Sequence, residues 1–393
     1  MGQLLESLTW LGLDWDEEPV YQSQRAGRHI EIAEKLLAEN KAYRCYMSQE
    51  KLDQWRADHP NQKFRSPWRD GAPPPGDGTL PVIRLRAPME GDITVHDLLK
   101  GEVSVGAKEM DDMVLLRADG TPTYMLAVVV DDHDMGVTHA IRGNDHFTNK
   151  FRQLLIYQAL DWQPPKFAHV PLILGEDGAK LSKRHGATGL EEFEQMGFLP
   201  EAMRNYLLRL GWSCGDQEIF SDEEAIRLFD FDGLGKSPSR FDLEKLKHIN
   251  QHYMRHASPD QLGAVSEAGK KAIGWLVDRA ATLVELEEQG AFLTASRPLA
   301  LDEKAQLLLT DEAKAILKDF AGLLEAATSW EADALKAIWE SFKEEQSLKP
   351  KQFMPPLRAA LSGKGASAGT VFQIMEALGK EETLGRIGDA VIA

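Results

Sequence analysis

Residues 170–186 read VPLILGEDGAKLSKRHG and join three kinds of sequence in one short segment. An apolar run at Val170–Leu174 leads into a turn at Glu176–Gly178, and the turn leads into a basic stretch at Lys180–Gly186. Positive side chains in a glycine-containing loop at the end of a buried strand favour phosphate binding. We therefore predict a buried β-strand followed by a phosphate-binding loop; a solvated basic turn is the alternative that composition leaves open.

The chain as a whole is acidic, which sets this basic loop apart. Of 393 residues, 62 are acidic and 45 are basic, giving a formal net charge of −17. This charge argues against a general nucleic-acid coat protein, because a negative long-range field repels phosphate, although local basic patches can still bind nucleic acid. A composition of 43% hydrophobic and 27% charged residues is typical of a globular protein, which at this length holds about two to four domains.

The cysteines and the lack of long apolar runs predict a cytoplasmic protein. Cys45 and Cys214 make no disulfide framework and suit a reducing compartment. No run of about 18 apolar residues occurs, so we expect no membrane span and no membrane partner. The start of the sequence lacks the pattern of a signal peptide. Near Cys45, Met47 is a poor metal ligand, and one thiol does not make a zinc site, so no zinc is expected.

Period-2 patterns and continuous apolar runs predict strands in the first half of the chain. Val82–Arg86 alternates as a half-buried strand does, and Met113–Arg117 with Thr123–Leu126 is typical of a hairpin. Ala127–Val130 is continuous and β-branched, which favours a strand buried on both faces of a parallel sheet. It ends in the acidic run Asp131–Asp134.

Helices predicted on both sides of this region define the fold class. A helix at 148–160 followed by the strand before the basic loop is typical of a right-handed crossover in an α/β sheet. Residues 27–42 and the first dozen residues also have helical spacing. From about residue 190 helices dominate, at 201–210, 221–229, 242–254, 259–290, 302–327 and 331–345, with shorter ones to the end. The sequence predicts an α/β front and an all-α rear in separate domains.

Two predicted strand ends carry candidate ligand-binding residues, because ligands collect at the carboxyl ends of parallel strands. The carboxylates and histidine of Asp131–Asp134 suit Mg²⁺ or Zn²⁺, or else form a turn that caps the next element. At the second end, Ile141–His146, Arg142 can grip a substrate carboxylate with a bidentate fork that lysine cannot match. A structural salt bridge of Arg142 is the alternative interpretation.

The rear half contains an acid-free window at Gln346–Met375. It carries Lys349, Lys351, Arg358 and Lys364, and Phe353 offers an aromatic ring for base stacking. This pattern favours contact with single-stranded nucleic acid; a chance gap in the acids on a helical surface is the alternative.

Segments along nearly the whole chain together resemble bacterial glutamyl-tRNA synthetases, which are class I aminoacyl-tRNA synthetases. The signature loop of that family is similar to Leu181–Gly186, and its amino-acid pocket is similar to Pro122–Tyr124, Val130–Gly136 and Ile141–Gly143. Further matches, in the expected order, are Trp10–Glu17, Pro200–Ala202, Asn205–Leu207, Leu210–Trp212, Ser239–Asp242 and Pro356–Gly363.

The resemblance implies a domain order and a reaction. Part of a Rossmann-type parallel-sheet catalytic domain would comprise 1–18 and 126–178, with an α+β connective, acceptor-binding domain inserted at 19–125. A signature-loop and stem-contact domain would cover 179–258, and an all-helical anticodon-binding region 259–393. The implied enzyme is a glutamate–tRNA ligase, a monomer that uses ATP with Mg²⁺ to activate glutamate and transfers it to tRNA(Glu).

The resemblance also assigns roles to individual residues. Lys180, Ser182, Lys183 and Arg184 would be catalytic. Tyr124, Val128 and Arg142 would bind glutamate, and Asp145, His146, Leu181 and Lys183 would bind ATP. Arg358 would contact the anticodon.

Three departures from the family qualify these expectations. Asn144 stands where the family usually has an acid, and Met47 lacks a thiol that some members use for zinc. No strand, glycine-bearing loop and helix of the kind that opens the family precedes Trp10. We therefore expect an N-terminally truncated, impaired and poorly soluble form, with a non-catalytic tRNA-binding paralogue as the alternative. A glutaminyl enzyme is disfavoured because the rear reads as helices rather than β-barrels.

Overall fold

The computed structural model describes residues 2–60, 62–182, 189–264 and 266–392. These form two compact units. The sheet unit comprises residues 14–181 and 208–241, and the helical unit comprises residues 1–13, 182–207 and 242–393. The front of the chain is mixed α/β with parallel pairing and the rear is mostly helical, which confirms the predicted fold class.

The strands all belong to the sheet unit. In chain order they are β1 (Ala42–Cys45), β2 (Val82–Leu85), β3 (Asp92–Asp97), β4 (Gly101–Gly106), β5 (Val114–Leu116), β6 (His139–Gly143), β7 (Lys166–Val170), β8 (Ile173–Leu174) and β9 (Ser239–Arg240).

The helices run through both units. In chain order they are α1 (Gly2–Trp10), α2 (Ala26–Ala38), α3 (Gln49–Asp58), α4 (Tyr124–Asp134), α5 (Asn149–Ala159), α6 (Leu190–Gln195), α7 (Pro200–Gly211), α8 (Asp222–Leu228), α9 (Leu243–His256), α10 (Glu267–Val277), α11 (Leu283–Gly290), α12 (Glu303–Leu308), α13 (Asp311–Glu325), α14 (Ala332–Glu345), α15 (Pro350–Ser362), α16 (Val371–Leu378) and α17 (Lys380–Ile392).

The strands make three sheets. One is antiparallel, in the order β1-β2-β5, and a two-stranded parallel pair joins β8 to β9. The four-stranded sheet has the order β4-β3-β7-β6, in which β7 is parallel to both β3 and β6. The unit β6-α5-β7 is the crossover that the sequence predicted. In this sheet β6 is an outer strand, and its Ile141 is 48% exposed; poor solubility stays a prediction.

The predicted strand at Ala127–Val130 is wrong, since these residues lie in α4. The helix buries Leu126, Val129 and Val130 in the main core of the sheet unit, and Ala127 is buried as well. A short apolar run buried in this way has no period that separates strand from helix. The acidic run that follows is therefore the last turn of a helix, and the predicted strand end at Asp131 does not exist.

Other differences have local causes. The predicted strand at Val170–Leu174 is only partly correct, because Val170 is the last residue of β7, Ile173–Leu174 is β8, and Pro171 between them lacks the N–H that a ladder needs. The predicted helix at 302–327 is divided into α12 and α13, where the Thr310 side chain caps α13. The predicted helix at 259–290 is likewise two, with Thr282 capping α11.

The core of the helical unit is aromatic. Phe353 is fully buried and stacks on Trp339 with ring centroids 3.9 Å apart and planes within 4° of parallel. Phe320 packs edge-on against Phe353 at 4.7 Å. Phe353 is therefore a core residue, and its predicted role as a stacking surface for nucleic acid is wrong.

Among the described residues, no helix combines the length and the apolar character needed to cross a membrane.

Candidate active site

Arg142 is the last residue but one of β6 and is held by two helices. Its Nη2 donates to Asp132 Oδ2 of α4 at 2.9 Å, and its Nη1 donates to Gln153 Oε1 of α5 at 3.0 Å. The arginine side chain keeps 19% of its surface exposed. Both sequence interpretations of Arg142 are thus compatible with the structure, because the salt bridge exists and three N–H donors form no hydrogen bond with the described residues.

The other two predicted glutamate-binding residues lie on α4 in line with Asp132. Tyr124, Val128 and Asp132 are spaced by four residues, so they share one face of the helix. Tyr124 at the first turn is 48% exposed, while Val128 is partly buried against the core. The helix face therefore leads from an exposed aromatic ring to the carboxylate that pairs with Arg142.

Two buried polar groups on α5 have no hydrogen-bond partner among the described residues. They are Gln153 Nε2 and the hydroxyl of Tyr157, and both side chains belong to residues at most 2% exposed. Burial, and then the nearby carboxylate of Asp132, raise the pKa of Tyr157. The tyrosine therefore stays neutral beside Arg142.

A cluster of buried polar side chains lies beside Arg142 on the sheet. The residue paired with Arg142 on β7 is His169, whose Nδ1 is 2.7 Å from Asp97 Oδ2. The ammonium of Lys150 is 3.3 Å from the same oxygen and lies 3.3 Å from the centroid of Phe147. Burial lowers the pKa of both His169 and Lys150 against the opposing pull of Asp97.

Asp97 itself is held as a carboxylate. Burial alone would raise its pKa, but the hydrogen bond from His169, backbone N–H groups and the charge of Lys150 together lower it. A neutral His169 therefore donates to a charged Asp97 at the carboxyl end of β7.

The acidic run at the end of α4 is neither the metal site nor the turn that the sequence suggested. Asp131 accepts from Arg25 Nε at 2.7 Å and lies 2.8 Å from His29 Nε2, and Asp134 accepts from Arg25 and Arg28. These arginines of the α2 region occupy the carboxylates that a metal would need.

Adjacent carboxylates on α4 are shifted in opposite directions. Burial raises the pKa of Asp132 more than Arg142 lowers it. For Asp131, burial also acts to raise the pKa, but hydrogen bonds from His29, Arg25 and Gln22 outweigh it and the pKa is lowered.

The first lysine of the basic loop lies beside the end of β6. Residues 175–179 form a turn, with Gly178 at a φ of +75°, that returns the chain so that Leu181 N donates to Ile173 O. Lys180 Nζ then contacts Asp145 Oδ2 at 2.5 Å. This hydrogen bond lowers the pKa of Asp145. The structure thereby brings two predicted site residues together.

The remaining residues of the predicted ATP site are only partly described. Leu181 is half-buried and Ser182 is exposed. His146 follows Asp145 in a 3-10 helix, and its side chain is 54% exposed. Lys183 and Arg184 lie outside the described residues, so the structure neither supports nor contradicts their predicted roles.

Arg358 in the helical unit is tied to its own domain. Its Nη1 donates to Ser367 O and Gly369 O, at 2.9 and 2.8 Å. Burial, and then the charge of Arg279, lower its pKa. It also lines a groove of about 460 Å³ with Lys336 and Phe372. The arginine is therefore partly structural and partly presented to a groove.

Cys45 is buried in an apolar cluster with Tyr43, Leu52 and Phe64. Across residues 2–60, 62–182, 189–264 and 266–392, no group of three or more His, Cys, Asp or Glu side chains is arranged to hold a metal ion.

Sequence reasoning missed the partners of Arg142. The signal was present in α5, where Lys150, Gln153 and Tyr157 recur at helical spacing among apolar residues and so share one buried face. A polar stripe on the inner face of a helix requires partners, because buried polar groups are nearly always hydrogen-bonded.

Comparison with known proteins identifies the family. A model of the catalytic domain of class I tRNA synthetases (E and Q) matches residues 1–248, and a model of an anticodon binding domain matches residues 244–391. The chain is 47% identical over 412 residues to glutamate–tRNA ligase 2 of Rhodospirillum rubrum and 49% identical over 415 residues to that of Brucella ovis. Each alignment covers 99% of this chain and 88% of the relative.

Solved structures agree. The fold is similar to a glutamate tRNA ligase from Elizabethkingia meningosepticum in complex with its amino acid, with a TM-score of 0.84 and 30% identity over 99% of this chain and 88% of that one. A glutamate–tRNA synthetase from Elizabethkingia anophelis gives a TM-score of 0.81 at 30% identity, covering 99% of this chain and 89% of that one. The chain therefore belongs to the glutamate–tRNA ligase family of class I tRNA synthetases.

Proposed function

We propose that this chain binds glutamate and ATP at the carboxyl end of β6, forms glutamyl adenylate and transfers the glutamyl group to tRNA(Glu). The observation that carries the proposal is that two cations lie near the carboxyl end of β6 in the sheet unit. One is the fixed guanidinium of Arg142, and the other is Lys180, the first cation of the basic loop. A carboxylate and a triphosphate need these two kinds of cation.

Glutamate would bind along the exposed face of α4. Its side-chain carboxylate would accept from the N–H groups of Arg142 that form no hydrogen bond with the described residues, with Tyr124 and Val128 lining the path. The α-carboxylate would then lie towards the basic loop. From there it would attack the α-phosphorus of ATP, displacing pyrophosphate.

The basic loop would neutralise the triphosphate as pyrophosphate leaves. Lys180 is the described cation of this loop, and it would exchange Asp145 for phosphate oxygens when ATP binds; Ser182, Lys183 and Arg184 would complete the loop, with Leu181 and His146 beside the nucleotide. Mg²⁺ would bind together with ATP, because the phosphate oxygens of ATP are the kind of ligand that Mg²⁺ prefers. When bound, it would offset charge on the phosphates.

tRNA would bind through both units. Residues 19–125 would form the connective domain for the acceptor end, residues 179–258 the stem-contact domain and residues 259–393 the anticodon-binding region. The groove at Arg358 would meet the anticodon. We propose that the protein acts as a cytoplasmic monomer.

The test measures L-glutamate binding by calorimetry and glutamate-dependent ATP–pyrophosphate exchange on the purified 393-residue chain. Binding and exchange with glutamate, and little with glutamine, would support the ligase and would refute the expected impairment. Glutamate binding without exchange would contradict the proposed adenylate formation and would support the impaired form. Tight tRNA(Glu) binding without any glutamate binding would contradict the proposal in favour of the non-catalytic paralogue.

A further inference from the structure

The guanidinium of Arg142 is held in one orientation by two hydrogen-bond acceptors. Asp132 of α4 holds one terminal nitrogen and Gln153 of α5 holds the other, at 2.9 and 3.0 Å. Two anchors on different nitrogens of a planar group leave it little freedom to rotate or to swing away. Both anchors come from helices whose other faces are packed in the main core, so the anchors are themselves immobile.

We propose that Asp132 and Gln153 are positioning residues that make this site select a side-chain carboxylate over the corresponding amide, that is, glutamate over glutamine. The proposal rests on the proposed function of Arg142 as the anchor of the substrate side chain. It adds the residues that give that anchor its selectivity.

The selectivity follows from the donors that remain. Arginine has five N–H groups and no acceptor, and two of the five are used by Asp132 and Gln153. A carboxylate offers two acceptor oxygens to the remaining donors. An amide offers one oxygen and one NH₂ group, so a donor would face a donor.

This mismatch excludes the amide only if the guanidinium of Arg142 cannot move. A guanidinium with a single anchor could tilt until only the amide oxygen faced it, and the mismatch would then cost little. A guanidinium held at both ends cannot make that adjustment, so the unpaired donors stay buried against each other. Selectivity is therefore a property of the two acceptors as much as of the arginine.

The hydrogen-bond acceptor matters here more than its charge. Asp132 is a carboxylate and Gln153 is a neutral amide, yet each contributes one oxygen to the guanidinium. Asp132→Asn and Gln153→Glu keep an acceptor oxygen at each position, whereas Asp132→Leu and Gln153→Leu replace it with a branched apolar side chain. The conservative variants thus separate positioning from packing.

The experiment measures dissociation constants for L-glutamate and L-glutamine by calorimetry, with competition where binding is weak, and the thermal midpoint of every variant. We expect each leucine variant to lower the glutamate-over-glutamine preference by about tenfold or more, and each conservative variant to keep it within about threefold. Tyr157→Phe is the matched control, since its hydroxyl has no partner among the described residues, and it should leave the preference unchanged.

The outcomes separate the two claims. If Arg142→Ala binds glutamate as the wild type does, the proposed anchoring role fails, and the positioning proposal fails with it. If Arg142→Ala loses glutamate binding but both leucine variants, folded by their midpoints, keep the wild-type preference, the anchor stands and the positioning proposal is overturned. If the conservative variants lose the preference as fully as the leucine variants do, positioning by the acceptor oxygens is also overturned.

Discussion

Arg142 in the sheet unit and Arg386 in the helical unit are both largely buried arginines, and they differ in how many donors the protein uses. Arg386 is 2% exposed and makes five hydrogen bonds, one from Nε to Glu382 and two from each terminal nitrogen to backbone carbonyls. Arg142 makes two such bonds and lies on β6, an outer strand of its sheet.

The difference separates a structural arginine from a binding arginine. Arg386 donates to the backbone carbonyls of Phe292, Leu293 and Ala295. It also donates to the carbonyl of Leu361 at the end of α15, where a helix leaves its carbonyls unpaired. All of its donors are consumed within the protein. Arg142 is fixed by two acceptors and keeps donors for a ligand, so the number of donors left over indicates the role better than burial does.

The largest effect on stability is expected at Arg386. Arg386→Met should destabilise the helical unit by about 3 kcal/mol, because it leaves buried backbone carbonyls without a donor and removes one of the two arginines that pair with Glu382. Urea unfolding measures the change. Arg255→Met is the matched control, since Arg255 pairs with Asp278 on the surface and should change the free energy of unfolding by less than about 0.5 kcal/mol.

Glutamate affinity should not depend on Arg386, in contrast to its expected dependence on Arg142. The affinity of Arg386→Met for glutamate should equal that of the wild type at temperatures where the variant is folded. Equal destabilisation by the Arg386 and Arg255 variants would remove the distinction between a saturated and a surface arginine.

A smaller and pH-dependent effect is expected at the two adjacent aspartates of α4. Asp131 has a lowered pKa, so its charge stabilises the fold above the unfolded pKa, and this contribution disappears as the pH falls through the folded value. Asp132 has a raised pKa in the folded protein, so its charge destabilises the fold above this folded pKa. The destabilisation is absent below the unfolded pKa.

The corresponding asparagine variants should therefore diverge from the wild type in opposite directions as the pH rises. Between about pH 3 and pH 7, Asp131→Asn should lose stability relative to the wild type and Asp132→Asn should gain it, each on the order of 1 kcal/mol. Urea unfolding at several pH values tests this. Parallel curves for the two variants would contradict the opposite environments of these carboxylates.

The smallest effect on stability is expected at Asp145. Its partner Lys180 is 62% exposed, so Asp145→Asn should leave the thermal midpoint unchanged. Since the variant weakens the competition of Asp145 with phosphate for Lys180, ATP should bind more tightly while glutamate affinity stays constant. That result would contradict the ATP-binding role that the resemblance implies for Asp145. Weaker ATP binding would instead assign Asp145 a direct role with the nucleotide.

Sequence patterns predicted this molecule well where one period was sustained. Helices of the rear half have long apolar faces, and the crossover β6-α5-β7 has the expected order, so both were confirmed. Ala127–Val130 failed because four buried apolar residues have no distinguishing period. The hairpin β3-β4 was missed although Ile93 and Val95 alternate with polar residues, since the run is short and lies between turns.

The candidate site was predicted only in part, for a reason of distance along the chain. Arg142 and Lys180 are visible as cations at the ends of predicted strands. Their partners are not, because Asp132 and Gln153 meet Arg142 only after α4 and α5 pack on the sheet. Local patterns therefore located the charged groups, and tertiary packing determined which of them are fixed.

The central claim is that a guanidinium fixed in its plane, rather than a positive charge alone, binds the substrate carboxylate. Arg142→Lys tests it directly, because lysine keeps the charge and removes the fork. Calorimetry of the folded variant should give an L-glutamate dissociation constant at least about tenfold above that of the wild type. A dissociation constant within about twofold of the wild-type value would contradict the account.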